Sequence, residues 1–153
     1  MANRHTRVTE FERDVRAAVY DGFRERGRSP SVAELAAALG ASGAEVGAAL
    51  QRLAEEHALV LQTDGESVRM AHPFSAVPTD TLVTIGGRQW FGNCVWDGLA
   101  IVSLFGGTGR LDMHSPATGA SIVFDVTNGV VNGDGVAHFL VPAARFWDDI
   151  AFT

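Results

Sequence analysis

The sequence has no lysine, a single cysteine and no long apolar run. All twelve basic residues are arginine, and one thiol, Cys94, excludes an intramolecular disulfide. No apolar stretch reaches the roughly 18 residues that a membrane-spanning helix needs. The N-terminal residues, "MANRHTRVTEFERDVR", lack the apolar centre of a signal peptide. These absences favour a cytoplasmic protein.

Charge is spread unevenly along the 153 residues, which carry a net charge of −6. Residues 1–30 hold seven arginines and five acids, a balance of +2, whereas the rest holds five arginines and thirteen acids, a balance of −8. This balance argues against a protein that coats nucleic acid. With 46% hydrophobic residues, the chain can form one ordinary domain or two small ones that share a core.

The first half of the chain carries three helix-start signals, each a Ser or Thr followed three residues later by Glu. The pairs are Thr9 with Glu12, Ser31 with Glu34, and Ser42 with Glu45. Two short strands follow around the Asp64-Gly65 turn. Three helices and a hairpin predict a winged-helix-like module over residues 1–70.

The third helix, Ser42 to Glu56, offers little that could read DNA. Its one basic residue is Arg52, whereas its acids include Glu55 and Glu56. Base and phosphate contacts favour Arg, Lys, Asn and Gln on the exposed face. We therefore predict a packing or dimerisation module, with DNA binding as the alternative.

Residues 71–80, with two prolines, are predicted to cross to a second unit over residues 81–153. The predicted elements are strands 81–85 and 88–92, a short helix 93–105, strands 109–113, 120–126 and 136–141, a helical turn 143–149, and a strand opening at 150. The predicted fold class is α+β, with an N-terminal three-helix module and a mixed or antiparallel C-terminal sheet.

The short helix brings the one thiol and a carboxylate together. Asn93 is a favourable N-cap, which predicts Cys94 in the first turn, where the helix N-terminus lowers a thiol pKa. Asp97 lies three residues on, and therefore on the same face. Ile101 and Leu104 predict that this face is buried. Spacing alone leaves open the alternatives of an inert core cysteine and a capping aspartate.

Aromatic residues near this helix are favoured as core residues. The alternative is that Trp90, Phe91 and Trp96 line an apolar substrate pocket, with His114 beside it.

The histidines form no metal-binding spacing such as HxxxH, and no second cysteine is available for a zinc site. A cysteine hydrolase would need a base beside Cys94. His72, His114 and His138 could supply one, but no motif supports any of them.

Four blocks of the sequence resemble the alkylmercury lyases, also called organomercurial lyases. They are "GRSPSVAELAAALGASGAEVGAAL" (27–50), similar to that family's winged-helix region; "NCVWDGLAI" (93–101), similar to its Cys-x-x-Asp helix; "HSPATGASIVF" (114–124), similar to its "HCxATGAxI" turn and strand; and "VAHFLVP" (136–142).

The resemblance implies cleavage of a carbon–mercury bond by protonolysis. Cys94 would bind the mercury of R–Hg⁺, because soft metals prefer thiolates. Asp97 would then protonate the carbon and release R–H. No organic cofactor is implied, and Hg²⁺ would pass to small thiols or to a mercuric reductase. The alternatives are a winged-helix regulator that senses a soft metal through Cys94, and a homologue that keeps only the fold.

Two departures from the family pattern follow. Ser115 replaces a cysteine of the family's turn, and the family's second catalytic cysteine is expected where this sequence ends, at Thr153. Three explanations stay open: a truncated product, a variant served by an external thiol, or an in-frame UGA that encodes selenocysteine. We expect weak or no activity without a second thiol. The nucleotides after the Thr153 codon would decide between these explanations.

Overall fold

The computed structural model describes residues 8–139 and 141–150 and has the predicted α+β fold. Three helices form the N-terminal part: α1 (Glu10–Arg26), α2 (Val32–Leu39) and α3 (Gly43–Glu55). All three predicted capping boxes are present, so the sequence signals at Thr9, Ser31 and Ser42 set the helix starts. No helix in the described part of the chain combines the length and apolar character that a membrane span requires.

Within the described residues, eight strands form one sheet. They are β1 (Val60–Leu61), β2 (Val68–Ala71), β3 (Phe74–Ser75), β4 (Thr81–Ile85), β5 (Arg88–Gly92), β6 (Gly109–His114), β7 (Ser121–Thr127) and β8 (Val130–Asn132). The spatial order is β1-β2-β3-β5-β4-β6-β7-β8, and each pair of neighbours described is antiparallel. A fourth helix, α4 (Val95–Leu104), follows β5, and a 3₁₀ helix (Ala143–Asp148) lies near the end of the described residues.

The core links the helical part to the sheet. Phe23 of α1 stacks on Phe74 of β3 with ring centroids 5.1 Å apart. Trp90 of β5 donates a hydrogen bond from Nε1 to the Phe23 carbonyl at 2.8 Å. The segment predicted to cross between two units, residues 71–80, contributes β3 to the sheet. The domain boundaries at residues 70 and 80 stay a prediction.

One predicted strand is wrong. Residues 136–139 and 141 form no strand, and Val136 is 93% exposed. The chain instead turns back at Asn128 and Gly129, both with positive φ, so that β8 pairs with β7. An Asn-Gly pair favours this tight hairpin. Its second strand, β8, occupies the edge of β7 that residues 136–141 would otherwise pair with. Position 140, and residues 151–153 of the strand predicted to open at Ile150, lie outside the described residues; Ile150 itself is in a turn.

Candidate functional site

Two glycines seat α4 directly against the sheet. A Cβ atom built on Gly92, the last residue of β5, would lie 2.8 Å from the backbone nitrogen of Gly98. A Cβ on Gly98 would lie 2.7 Å from Leu111 and 2.8 Å from Thr81, on β6 and β4. Neither position therefore has room for a side chain. The start of α4 is consequently fixed beside the end of β5.

The helix begins one residue later than predicted. Cys94, not Asn93, is the N-cap: its backbone is extended, and its carbonyl accepts the first helical hydrogen bond, from Gly98 N at 2.9 Å. The Asn93 side chain is directed instead at the turn between β2 and β3. Its Nδ2 lies 3.4 Å from His72 Nδ1 and 3.5 Å from the Pro73 carbonyl oxygen. Asn93 is thus a contact to the neighbouring turn and does not cap the helix.

The thiol and the carboxylate meet as the spacing predicts. Cys94 Sγ lies 3.8 Å from Asp97 Oδ2, within reach of a hydrogen bond to sulfur. Both residues are half-buried, and the Asp97 side chain is 15% exposed. The predicted buried face is confirmed at Ile101 but is wrong at Leu104, which is 65% exposed. In the last turn of α4 the buried side chains are those of Ile101 and Val102 instead.

The thiol pKa departs from the sequence expectation. Burial raises the pKa of the Cys94 thiol, and the Asp97 carboxylate raises it further, whereas the backbone amides of Asp97 and Trp96 lower it. The helix N-terminus therefore acts in the predicted direction, but burial outweighs it. Cys94 accordingly rests as a thiol, which must lose its proton when it binds a metal.

Strand register brings a histidine to the same place. β3 pairs with β5 so that Phe74 is opposite Gly92, which sets the turn before β3 beside the start of α4. His72 lies in that turn, and its Nδ1 is 3.7 Å from Asp97 Oδ2. The Asp97 carboxylate thus lies between the thiol and the imidazole.

A cavity of about 840 Å³ opens over this group. One wall carries His72, Asn93, Cys94, Trp96 and Asp97. The opposite wall is apolar and comes from the segment around the 3₁₀ helix: Phe139, Val141, Pro142, Ala143, Phe146 and Ile150. The polar groups therefore line a half-open cavity whose remaining lining is apolar and which is large enough for a small organic molecule.

Of the four predicted pocket residues, Trp96 alone lines this cavity in the described part of the chain. Trp90 is buried in the core, with its ring centroid 4.5 Å from that of Phe105. Trp90 therefore has the core-packing role and not the pocket role. Phe91 is half-buried within the sheet, and His114 is exposed at the end of β6. The structure does not bring these three residues to the site.

Sequence reasoning missed His72 as a neighbour of Asp97 and missed the apolar wall. His72 and Pro73 form the turn between the short strands β2 and β3, so no periodic signal marked the position of His72. Phe139 and Val141 of the wall were predicted in a strand, and Ala143 and Phe146 in a helical turn. Only tertiary packing shows that all four line one cavity with α4.

The fold and site define an α+β protein with a paired thiol and carboxylate at an apolar cavity. The family model for alkylmercury lyase (MerB) matches residues 74–153, just over half of the chain. The chain therefore belongs to the alkylmercury lyase family, which confirms the resemblance.

A solved structure, the mercury-bound form of MerB2, is similar to this chain with a TM-score of 0.66 and 20% sequence identity. The match covers 82% of this chain and 60% of that one, so the chain spans about three fifths of the length of the solved relative. At this identity the likeness concerns the fold. No curated protein sequence matches the chain.

Proposed function

We propose that this protein cleaves carbon–mercury bonds, converting R–Hg⁺ to R–H and Hg²⁺. The observation that carries the proposal is the 3.8 Å contact between Cys94 Sγ and Asp97 Oδ2 at the wall of an apolar cavity. A soft thiolate binds mercury, and a carboxyl beside it can give a proton to the carbon. Family membership supports the same chemistry.

The reaction begins with the thiol protonated, because burial raises the pKa of Cys94. As mercury binds Sγ, the thiol proton moves to Asp97 Oδ2, the nearest carboxylate oxygen. The electron pair of the carbon–mercury bond then takes this proton, and R–H leaves. The apolar wall contributes by accommodating the organic group and by excluding water that would compete for the proton.

One thiolate leaves mercury short of a ligand, because Cys94 is the only cysteine of this sequence. We propose that an external small thiol supplies the second sulfur during cleavage and accepts Hg²⁺ afterwards. This requirement makes added thiol a necessary component of any assay.

Release of benzene from phenylmercury, with a small thiol present, tests the function. We expect Cys94→Ala to abolish both stoichiometric binding of phenylmercury and benzene release. Asp97→Asn keeps the shape of the side chain and should still bind phenylmercury, but cleave it about 10²–10⁴-fold more slowly. Benzene release by Cys94→Ala at the wild-type rate would refute the proposed lyase function.

The arrangement disfavours a cysteine hydrolase, in which the histidine is the neighbour of the thiol. Here the neighbour of the Cys94 thiol is the Asp97 carboxylate, and the His72 imidazole contacts that carboxylate.

The regulator alternative gains no support from α3, where Arg52, its single basic residue, forms an ion pair with Glu12. Gel-shift binding to promoter DNA that is lost on addition of Hg²⁺ would favour the regulator over the lyase.

A further inference from the structure

His72 is the third ionisable side chain of the cavity wall, beside Cys94 and Asp97. Its Nδ1 lies 3.7 Å from Asp97 Oδ2, the same oxygen that faces the thiol at 3.8 Å. One carboxylate oxygen is therefore held between a sulfur and a ring nitrogen. The other nitrogen, Nε2, does not take part in this contact.

The backbone and ring of His72 are both held in place. The Tyr20 hydroxyl donates a hydrogen bond to the His72 carbonyl at 2.8 Å. The ring packs edge to face against Trp147, with centroids 6.1 Å apart. Trp147 in turn stacks on His57 at 4.2 Å. His72 is thus held by α1 through its backbone carbonyl and by the 3₁₀ helix through its ring.

The surroundings of the ring favour a proton on Nδ1. Nε2 is shielded from solvent and has no hydrogen-bond partner among the described residues, and a buried N–H without an acceptor is costly. A proton on Nδ1 instead faces the Asp97 carboxylate. The Asn93 amide directs its Nδ2 at this nitrogen and at the Pro73 carbonyl. A half-turn of the amide would exchange these contacts and bring its oxygen, also without a partner in the described residues, to the Nδ1 proton.

The distance from Nδ1 to Oδ2 is longer than a hydrogen bond and within the range of an ion pair. Contacts of this kind in empty active sites commonly tighten when the substrate is bound. His72 can therefore orient the carboxylate without moving its own backbone.

We infer that His72 is a positioning residue that holds Asp97 Oδ2 toward Cys94, an inference that rests on the proposed lyase function. With the carboxylate so held, Oδ2 accepts the thiol proton as the S–Hg bond forms. It returns that proton to carbon as the C–Hg bond breaks, with both bonding electrons going to carbon. An external thiolate completes the coordination of mercury, so atoms and charge balance.

A direct ligand role for His72 finds less support. Among the described residues, no three His, Cys, Asp or Glu side chains are arranged to hold a metal ion. The imidazole contacts the Asp97 carboxylate, and the thiol contacts that same carboxylate. His72 is thus placed to act through Asp97.

Steady-state cleavage of phenylmercury with added thiol tests the inference. His72→Phe keeps the aromatic contact with Trp147 but removes Nδ1, and we expect kcat to fall about 10–100-fold with KM unchanged. His72→Asn places a polar atom near the position of Nδ1 and should restore most of the rate. His72→Gln extends past that position and should not.

His57→Phe is the matched control, because His57 also packs against Trp147 but does not line the cavity wall formed by the described residues. Its kcat should stay at the wild-type value. Equal losses in His57→Phe and His72→Phe would assign the effect to packing on Trp147 and overturn the inference. A wild-type rate in His72→Phe would overturn it as well.

A second measurement does not depend on cleavage. We expect the ¹⁵N resonances of the His72 imidazole, recorded without any mercurial, to report a protonated Nδ1 and to shift in Asp97→Asn, whereas those of His57 should not move. Unchanged His72 resonances would reject the pairing. A His72 shift together with no benzene release from the wild-type protein would retain the pairing and reject the lyase function.

Discussion

The close packing of α4 on the sheet can be tested by making the same substitution, glycine to alanine, at two helical positions. Gly98 in α4 and Gly47 in α3 both lie inside helices, so alanine should be favoured at each by about 1 kcal/mol on helix propensity alone. Among the described residues, no atom outside the adjoining helix backbone lies within 4 Å of a Cβ placed on Gly47. We therefore expect Gly47→Ala to stabilise the protein by up to about 1 kcal/mol.

At Gly98 the same methyl group meets a packed core. It would lie 2.7 Å from Leu111 Cδ2 and 2.8 Å from Thr81 Cγ2, and both side chains are buried. Overpacking of this kind typically costs about 1–3 kcal/mol. The gain in propensity is thus cancelled or exceeded, and Gly98→Ala should be between neutral and about 2 kcal/mol less stable than the wild type.

Urea unfolding measures both variants against the wild type, with the midpoint compared at constant slope. The free energies of unfolding should differ by about 1–3 kcal/mol between Gly47→Ala and Gly98→Ala, which is the overpacking contribution alone. Equal stabilisation by the two substitutions would refute the close seating of α4. If α4 moves by about 1 Å instead, Asp97 moves with it, and benzene release should fall by up to about 10²-fold.

Two further predictions concern ionisation. Because burial raises the pKa of Cys94, the pH midpoint for alkylation of the thiol by iodoacetamide should lie above the ordinary thiol pKa of about 8.5. Asp97→Asn should lower that midpoint, because it removes the nearby carboxylate. A wild-type midpoint at or below about 8.5 would contradict this. The Arg52 side chain lowers the pKa of buried Glu12, so this carboxylate stabilises the fold above its unfolded pKa of about 4.3, and the contribution is lost as the pH falls through the lower folded pKa. Arg52→Met should therefore reduce stability at pH 7 and flatten its acid dependence between about pH 5 and 3, as measured by urea unfolding; an unchanged slope would count against the pairing.

Local signals in the sequence were sufficient for most of the fold. Each capping box joins residues three apart, so its helix start depends on little beyond the segment itself. The predicted strands 81–85 and 88–92 are likewise present, and they pair as a hairpin across Gly86 and Gly87. The start of α4 shifted by one residue because the preference of Asn93 for the N-cap is worth about 1 kcal/mol, and the close approach of Gly92 to Gly98 overrides it.

Pairing between strands that are distant in the sequence could not be predicted from these local signals. The mostly apolar run at 136–141 is typical of a strand, but strand formation needs a partner, and β8 already occupies the edge of β7. His72 faces Asp97 only because the two-residue strand β3 pairs with the end of β5. A strand so short has no periodicity from which its neighbour could be predicted. The spacing of Cys94 and Asp97 was readable because one helical turn contains both.

The raised pKa of Cys94 is an advantage for the proposed reaction. Protonolysis consumes one proton for each carbon–mercury bond broken, and in an apolar enclosure that proton is best carried in by the site itself. A thiol that stays protonated until mercury arrives releases its proton at the moment and place of binding, 3.8 Å from the carboxylate that must deliver it. A thiolate stabilised in advance would bind mercury equally well, but it would bring no proton with it. Burial of Cys94 therefore couples metal binding to the supply of acid, and this coupling depends on Asp97 Oδ2 staying directed at the sulfur.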